Sequence, residues 1–321
     1  MADKGIKQIP IVCPGHTRPL AELQYLSIPS ENRNLLLSAC HDKMPMLRDG
    51  KSGNWIGTFQ GHKGAVWSCQ MDPSGNLAAT ASGDFSAQVW DAITGQSLVE
   101  MPHQHIVKSC VFSPDSKRLA TGGKEGLLRV FDLTKLLLEK STSEAKSASV
   151  QLTQEAPITK VVWMGLTQIL VACANGKIYL WDITSSGGSL AHTFDTKQTS
   201  EIRDLDVTSV AGQLVVTVAA GNKVYFWAVT TRELLKEYTM PIHFREEGGA
   251  ALHPSGKKFV AGGSDLWVRV FDFETGEELE CHKGHHGPIR CVRYSPDGTL
   301  YATGSEDGTI RLWKTDPTET Q

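Results

Sequence analysis

Two sets of residues in this chain have the makings of a nucleophilic hydrolase. His62, Ser82 and Asp84 precede Trp90, and His285, Ser305 and Asp307 precede Trp313, with identical offsets in both sets. A serine beside a histidine that a carboxylate orients can attack an acyl carbon. That chemistry also requires the serine on a Gly-x-Ser-x-Gly elbow and backbone donors for the oxyanion. Neither serine has such surroundings. A triad that recurs at a fixed interval reads as part of a repeating unit, and we expect no catalysis from it.

The remaining reactive residues give no stronger signal. Cys281, His282, His285, His286 and Cys291 are dense enough to suggest zinc. His285 is already committed to the repeat, however, and Cys291 falls on an alternating strand as a small core residue. Gly50-Lys51-Ser52 lacks the first glycine of a phosphate loop, because Pro45 stands there. Gly122-Gly123 and Gly262-Gly263 are turn glycines rather than a dinucleotide fingerprint. We expect no metal and no cofactor. The seven cysteines are scattered without a Cys-x-x-Cys, which fits reduced thiols rather than a disulfide framework.

The elements that carry these residues recur from one end of the chain to the other. Each copy ends on an aromatic or aliphatic anchor, usually followed by Asp: Leu47, Trp90, Phe131, Trp181, Trp227, Phe271 and Trp313. Successive anchors lie 43, 41, 50, 46, 44 and 42 residues apart. A period in the forties with Gly-His and Trp-Asp signatures resembles the WD40 repeat, and seven copies imply an all-β, seven-bladed propeller spanning residues 1–321. In the last copy Gly284-His285 leads into the alternating strand Cys291-Val292-Arg293-Tyr294. The turn Ser295-Pro296-Asp297-Gly298 follows, then a second strand, the tight turn Glu306-Asp307-Gly308 and a third strand ending at Trp313.

That last blade has no fourth strand of its own, and residues 6–12 are expected to supply it by closing the ring. The WD40 resemblance also gives the Ser-His-Asp sets another role. It implies a buried hydrogen-bond chain from the loop histidine through Ser and Asp toward the Trp, in which an unpaired member would cost about 1–3 kcal/mol. The wide interval before Trp181 holds a polar Ser-, Lys- and Glu-rich stretch, residues 134–154, which reads as a mobile surface loop with a helical turn near residues 136–140.

Bulk properties narrow the partners. Apolar residues make up 40% and charged residues 21%, as a globular core requires, and the net charge of −3 gives no overall field for a polyanion. There is no apolar run of membrane-spanning length, no signal-peptide core and no Asn-x-Ser/Thr. We expect a cytoplasmic protein with a nuclear pool and no membrane contact, a monomer within a larger complex.

Function is then expected on the rim. The start of the first strand in each copy aligns Ala21, Trp67, Lys108, Thr159, Arg203, Gly248 and Arg290 around one entrance of the central channel. Trp and Arg are favoured interface anchors. With neighbouring Arg18, Lys63, Lys283 and His286 they could receive an acidic partner segment. Direct RNA contact is the weaker reading, given one aromatic and a negative net charge.

Particular segments resemble the family of serine/threonine kinase receptor-associated proteins, also called unr-interacting proteins. The resemblance rests on Gly15-His16-Thr17-Arg18-Pro19, Pro45-Met46-Leu47-Arg48, Trp55-Ile56-Gly57-Thr58-Phe59 and Gly61-His62-Lys63-Gly64-Ala65-Val66-Trp67. Asp84-Phe85-Ser86-Ala87, His105-Ile106-Val107-Lys108 and Gly287-Pro288-Ile289-Arg290 extend it. It implies a non-enzymatic scaffold of the survival-of-motor-neuron complex, joined through Gemin proteins and assisting Sm-core assembly on small nuclear RNAs. Links to the RNA-binding protein unr and, in animals, to receptor kinases are implied as well, with RNA contact indirect. The alternative is the i subunit of translation initiation factor 3, which residues 61–67 and 284–289 also resemble. The Pro45-Met46-Leu47-Arg48 run favours the first.

Overall fold

The computed structural model describes residues 8–138, 148–185, 187–244 and 248–316. Its strands form seven antiparallel sheets arranged as the blades of a propeller. Blade 2 shows the unit: Val66–Met71, Leu77–Ser82, Ser86–Asp91 and Ser97–Pro102 pair in chain order from the hub outward. Second strands such as Leu77–Ser82 and Gln168–Cys173 are buried on both faces, so they read as nearly continuous apolar or small residues. Outer strands alternate, with exposed Leu98 and buried Met101 in this blade.

The core lies between blades rather than within them. Leu35, Leu37 and Leu47 of blade 1 pack with Cys69, Met71 and Trp90 of blade 2, and similar clusters continue around the wheel. Turn chemistry fixes each hairpin. Between the first two strands of blade 7, the Asp297 carboxylate accepts from Ser295 Oγ and the Thr299 amide, and Gly298 supplies φ +71°.

The ring closes through Ile11–Cys13, which pairs with Ile310–Lys314 in the register Ile11 with Leu312 and Cys13 with Ile310. This strand is shorter than, and offset from, the 6–12 segment expected. Residues 8–10 carry no strand, although Gln8 still exchanges hydrogen bonds with the Lys314 backbone, and residues 1–7 lie outside those described.

Blade 5 is built from three strand spans, because Gln213–Ala228 runs through a turn at Gly221 (φ +62°) and folds back on itself, with the Val229 amide donating to the Leu214 carbonyl. The polar stretch 134–154 is not all loop. Leu133–Leu138 is a short helix and Val150–Thr153 is the outer strand of blade 3, while residues 139–147 lie outside those described. Four residues flanked by polar sequence are too few for alternation to register.

One anchor shifts. Leu36 pairs with Arg48 as Ala78 pairs with Trp90, so Arg48, not Leu47, holds the Trp position of blade 1. It is 3% exposed. Its guanidinium donates to the Gly53 carbonyl at 3.1 Å and to the Pro14 carbonyl, tying blade 1 to the segment that leaves the closing strand.

Candidate protein-binding face

The hub strand of six blades carries a register shift at its start. The residue skipped by the ladder is Ala21, Trp67, Lys108, Thr159, Arg203 or Arg290. A bulge leaves one residue unpaired and re-aims its side chain. These six therefore line a common mouth of the channel. Gly248 aligns with them but precedes its strand, Gly249–Leu252, and has no side chain to contribute. Arg18 and Lys63 are exposed on neighbouring loops and do not line the mouth.

The mouth is more compensated than sequence suggested. Trp67 is half-buried: the Lys108 ammonium sits 2.9 Å from its ring centroid, and His41 packs against it at 4.3 Å. Arg203 pairs with Glu201 at 3.1 Å and Arg290 with Glu306 at 3.4 Å. One step deeper lies a layer of charges that the sequence reading missed. Glu22 of blade 1 bonds Lys160 of blade 4, and Asp204 of blade 5 holds Arg293 of blade 7 by two contacts of 2.7 Å. Burial drags the Lys160 amine down, but Glu22 and then Asp204 outweigh it and its pKa is raised. Burial also pushes Asp206 up, against the pull of Arg293. The signal lay in the hub position after the bulge, which is charged in Glu22, Lys160 and Asp204 but is serine in blades 2 and 3. Beyond this layer the channel widens into a cavity of about 420 Å³ lined by Gln24, Gln70, Thr208 and Ser295 among others.

The two Ser-His-Asp-Trp sets are brought together, but by a different route. His62 Nδ1 meets Asp84 at 2.8 Å, while its Nε2 meets Thr80 Oγ1 at 2.6 Å, and that same hydroxyl accepts from Trp90 Nε1 at 2.8 Å. Ser82 is not the link to the indole. It donates to the Ala65 carbonyl and accepts from the Asp84 amide, fixing the turn. Blade 7 repeats this with His285, Asp307, Thr303 and Trp313, and Ser305 donates to the Gly287 carbonyl. Every hydroxyl in these sets is hydrogen-bonded into the fold, and no acyl-transfer geometry is present in either.

In the Cys281–Cys291 stretch, which suggested zinc by density alone, two of the histidines have other partners. His285 is held by Asp307 and Thr303, and His282 lies 2.8 Å from Glu280. Among the described residues, His16, Cys40 and Asp42 place potential ligand atoms within 4.8 Å of one another. They are the blade 1 version of the hydrogen-bond set. His16 joins Asp42 and Ser38, Cys40 Sγ donates to the Arg18 carbonyl, and burial pushes the thiol up to about 12.

A closed wheel of seven sheets, stitched by His–Asp–Thr–Trp chains and aiming side chains from six blades at one mouth, is a WD40 β-propeller, a scaffold for protein interaction. The family model for the WD domain, G-beta repeat, matches residues 53–91, 95–132 and 276–314. The serine-threonine kinase receptor-associated protein of Gallus gallus is 40% identical over 319 residues, 97% of this chain and 84% of that protein. Its Dictyostelium discoideum counterpart is 40% identical over 310 residues, 95% of this chain and 98% of that protein. Subunit I of eukaryotic translation initiation factor 3 from Bombyx mori is more distant, 28% identical over 322 residues and 94% of each chain. The chain belongs to the serine-threonine kinase receptor-associated protein family.

Proposed function

We propose that this propeller is a non-enzymatic component of the survival-of-motor-neuron complex that holds partner segments, Gemin proteins among them, during Sm-core assembly in the cytoplasm, with a nuclear pool. The observation that carries the reading is likeness to the kinase receptor-associated proteins over nearly the whole chain, in which the Pro45-Met46-Leu47-Arg48 run has a structural purpose of its own. Receptor kinases are further partners suggested by those relatives' name, unr by the sequence resemblance, and RNA contact is indirect. The alternative, a subunit of translation initiation factor 3, is favoured only by the weaker likeness.

Affinity purification of the tagged chain from extract of its own organism, followed by mass spectrometry, separates the two. Gemin and Sm proteins are expected; initiation-factor subunits in their place would move the chain to the alternative. The mouth is tested with Trp67→Ala. A partner seated there should lose about thirtyfold or more in affinity while the melting temperature stays near that of the parent. Unchanged affinity would exclude the mouth.

A further inference from the structure

The hairpin joining the second and third strands passes through a left-handed residue in blade after blade. Glycine takes this position in blades 3, 4 and 7, as Gly126 (φ +71°), Gly176 (φ +76°) and Gly308 (φ +77°). In blades 1 and 2 the same position is Lys43 (φ +73°) and Phe85 (φ +68°). A side chain in this conformation carries a steric cost that glycine would not, and for an aromatic it is an outlier. Neither residue recovers the cost by burial. Lys43 is exposed, and Phe85 is 45% exposed with its ring 5.5 Å from that of the exposed His105. Strain that the fold's own packing does not need points to function.

The two positions flank one site. Lys43 follows His41, which packs on Trp67, by two residues, and Phe85 follows Gly83, which lies against the Trp67 indole, by two. The loops around them carry the exposed amines of Lys63 and Lys124. Their carboxylates are committed inward, Asp42 to His16, Asp84 to His62 and Glu125 to Arg129. This arc thus shows cations beside an open aromatic ring, whereas on the far arc Arg203 and Arg290 are matched by glutamates.

We propose that the arc over blades 1–3 docks an acidic segment of a partner protein that carries a large apolar side chain. Phe85 receives the apolar group and Lys43 and Lys63 receive the carboxylates. Nucleic acid fits less well, because the Lys108 ammonium covers the Trp67 ring and Phe85 alone gives no row of aromatics on which successive bases could stack. The inference rests on the wheel being an interaction scaffold, not on which complex it joins.

The test is a library of displayed twelve-residue peptides selected on the full chain. The best sequence is then synthesised with a fluorophore and titrated against the parent, Phe85→Gly and Lys43→Gly. Selected sequences should be rich in Asp and Glu around an aromatic or large aliphatic residue. Phe85→Gly should weaken binding about tenfold or more while raising or holding the melting temperature, since glycine relaxes the turn. Selection of sequences without acidic excess, retained affinity in Phe85→Gly, or a fluorescent oligouridylate that binds the arc where the peptide does not would each overturn the proposal. If the parent and Phe85→Gly recover the same assembly partners from extract, the scaffold reading stands and this one falls. If the parent recovers none, the scaffold reading itself fails.

Discussion

Thr80 decides how the blade 2 network is wired. Its hydroxyl is shared between His62 and Trp90, so Thr80→Val removes the acceptor for a buried indole N–H and a partner of the imidazole at once. It should lower unfolding free energy by about 1–3 kcal/mol in urea titrations, and more than Ser82→Ala, whose loss falls on a turn. Equal losses would argue that both hydroxyls serve the same chain. His62, Asp84 and Trp90 were legible because their types and spacing recur. Thr80 was not, because a β-branched residue in mid-strand looks like any strand residue. Arg48 was hidden for a related reason: in Met46-Leu47-Arg48 the apolar residue is the natural anchor, and only the strand register shows the guanidinium filling the indole's place. Its Nε is buried without a hydrogen-bond partner among the described residues, so what secures it is the pair of carbonyls at its other nitrogens.

Strands were legible wherever turn residues bracket alternation, as in blades 2 and 7, and less so where the bracket is missing. Blade 5 reads as pattern alone because its central 16-residue span folds back at Gly221 without an Asp-Gly signal. The closing strand was expected from a count of strands in blade 7, and its position shifted because three residues pairing with Ile310–Leu312 suffice. Removing residues 1–13 takes away that strand and the Pro14-side tether to Arg48 is left without its support. The variant should melt at least several degrees below the parent by differential scanning calorimetry, and it should self-associate through the uncovered Ile310–Lys314 edge. An unchanged melting temperature would mean that the ring holds without its clasp.

At the scale of the whole molecule, two buried ion pairs tie the hub together. The Glu22–Lys160 contact joins blades 1 and 4, and Asp204–Arg293 joins blades 5 and 7, which no reading of net charge could reveal since the pairs cancel. The pH response belongs to other buried groups. Burial, reinforced by Arg129, lowers His103 to about 4, and burial lowers His285 to about 4 despite Asp307. Both stay neutral in the fold where the unfolded chain would protonate them near 6.5, so their contribution is complete above about pH 6.5 and is lost as pH falls through about 4. Burial raises Asp307, but bonds from Thr309 and the His286 amide prevail and lower it to about 2, so its share is present above about 3.8 and disappears toward 2. The melting temperature should therefore decline steadily from pH 7 to pH 4, and His103→Gln should flatten part of that slope. A level profile over this range would show that neither histidine is linked to folding.

The strand that closes the ring is translated some three hundred residues before its partner at Leu312. Until that partner emerges the wheel is an open arc with two bare sheet edges, and no cooperative ring exists. A polysome making this protein therefore carries a row of unsealed arcs held close together. The hazard of domain exchange between neighbouring chains is greatest as that partner emerges, when one chain's free Ile310–Lys314 edge can accept another's Ile11–Cys13.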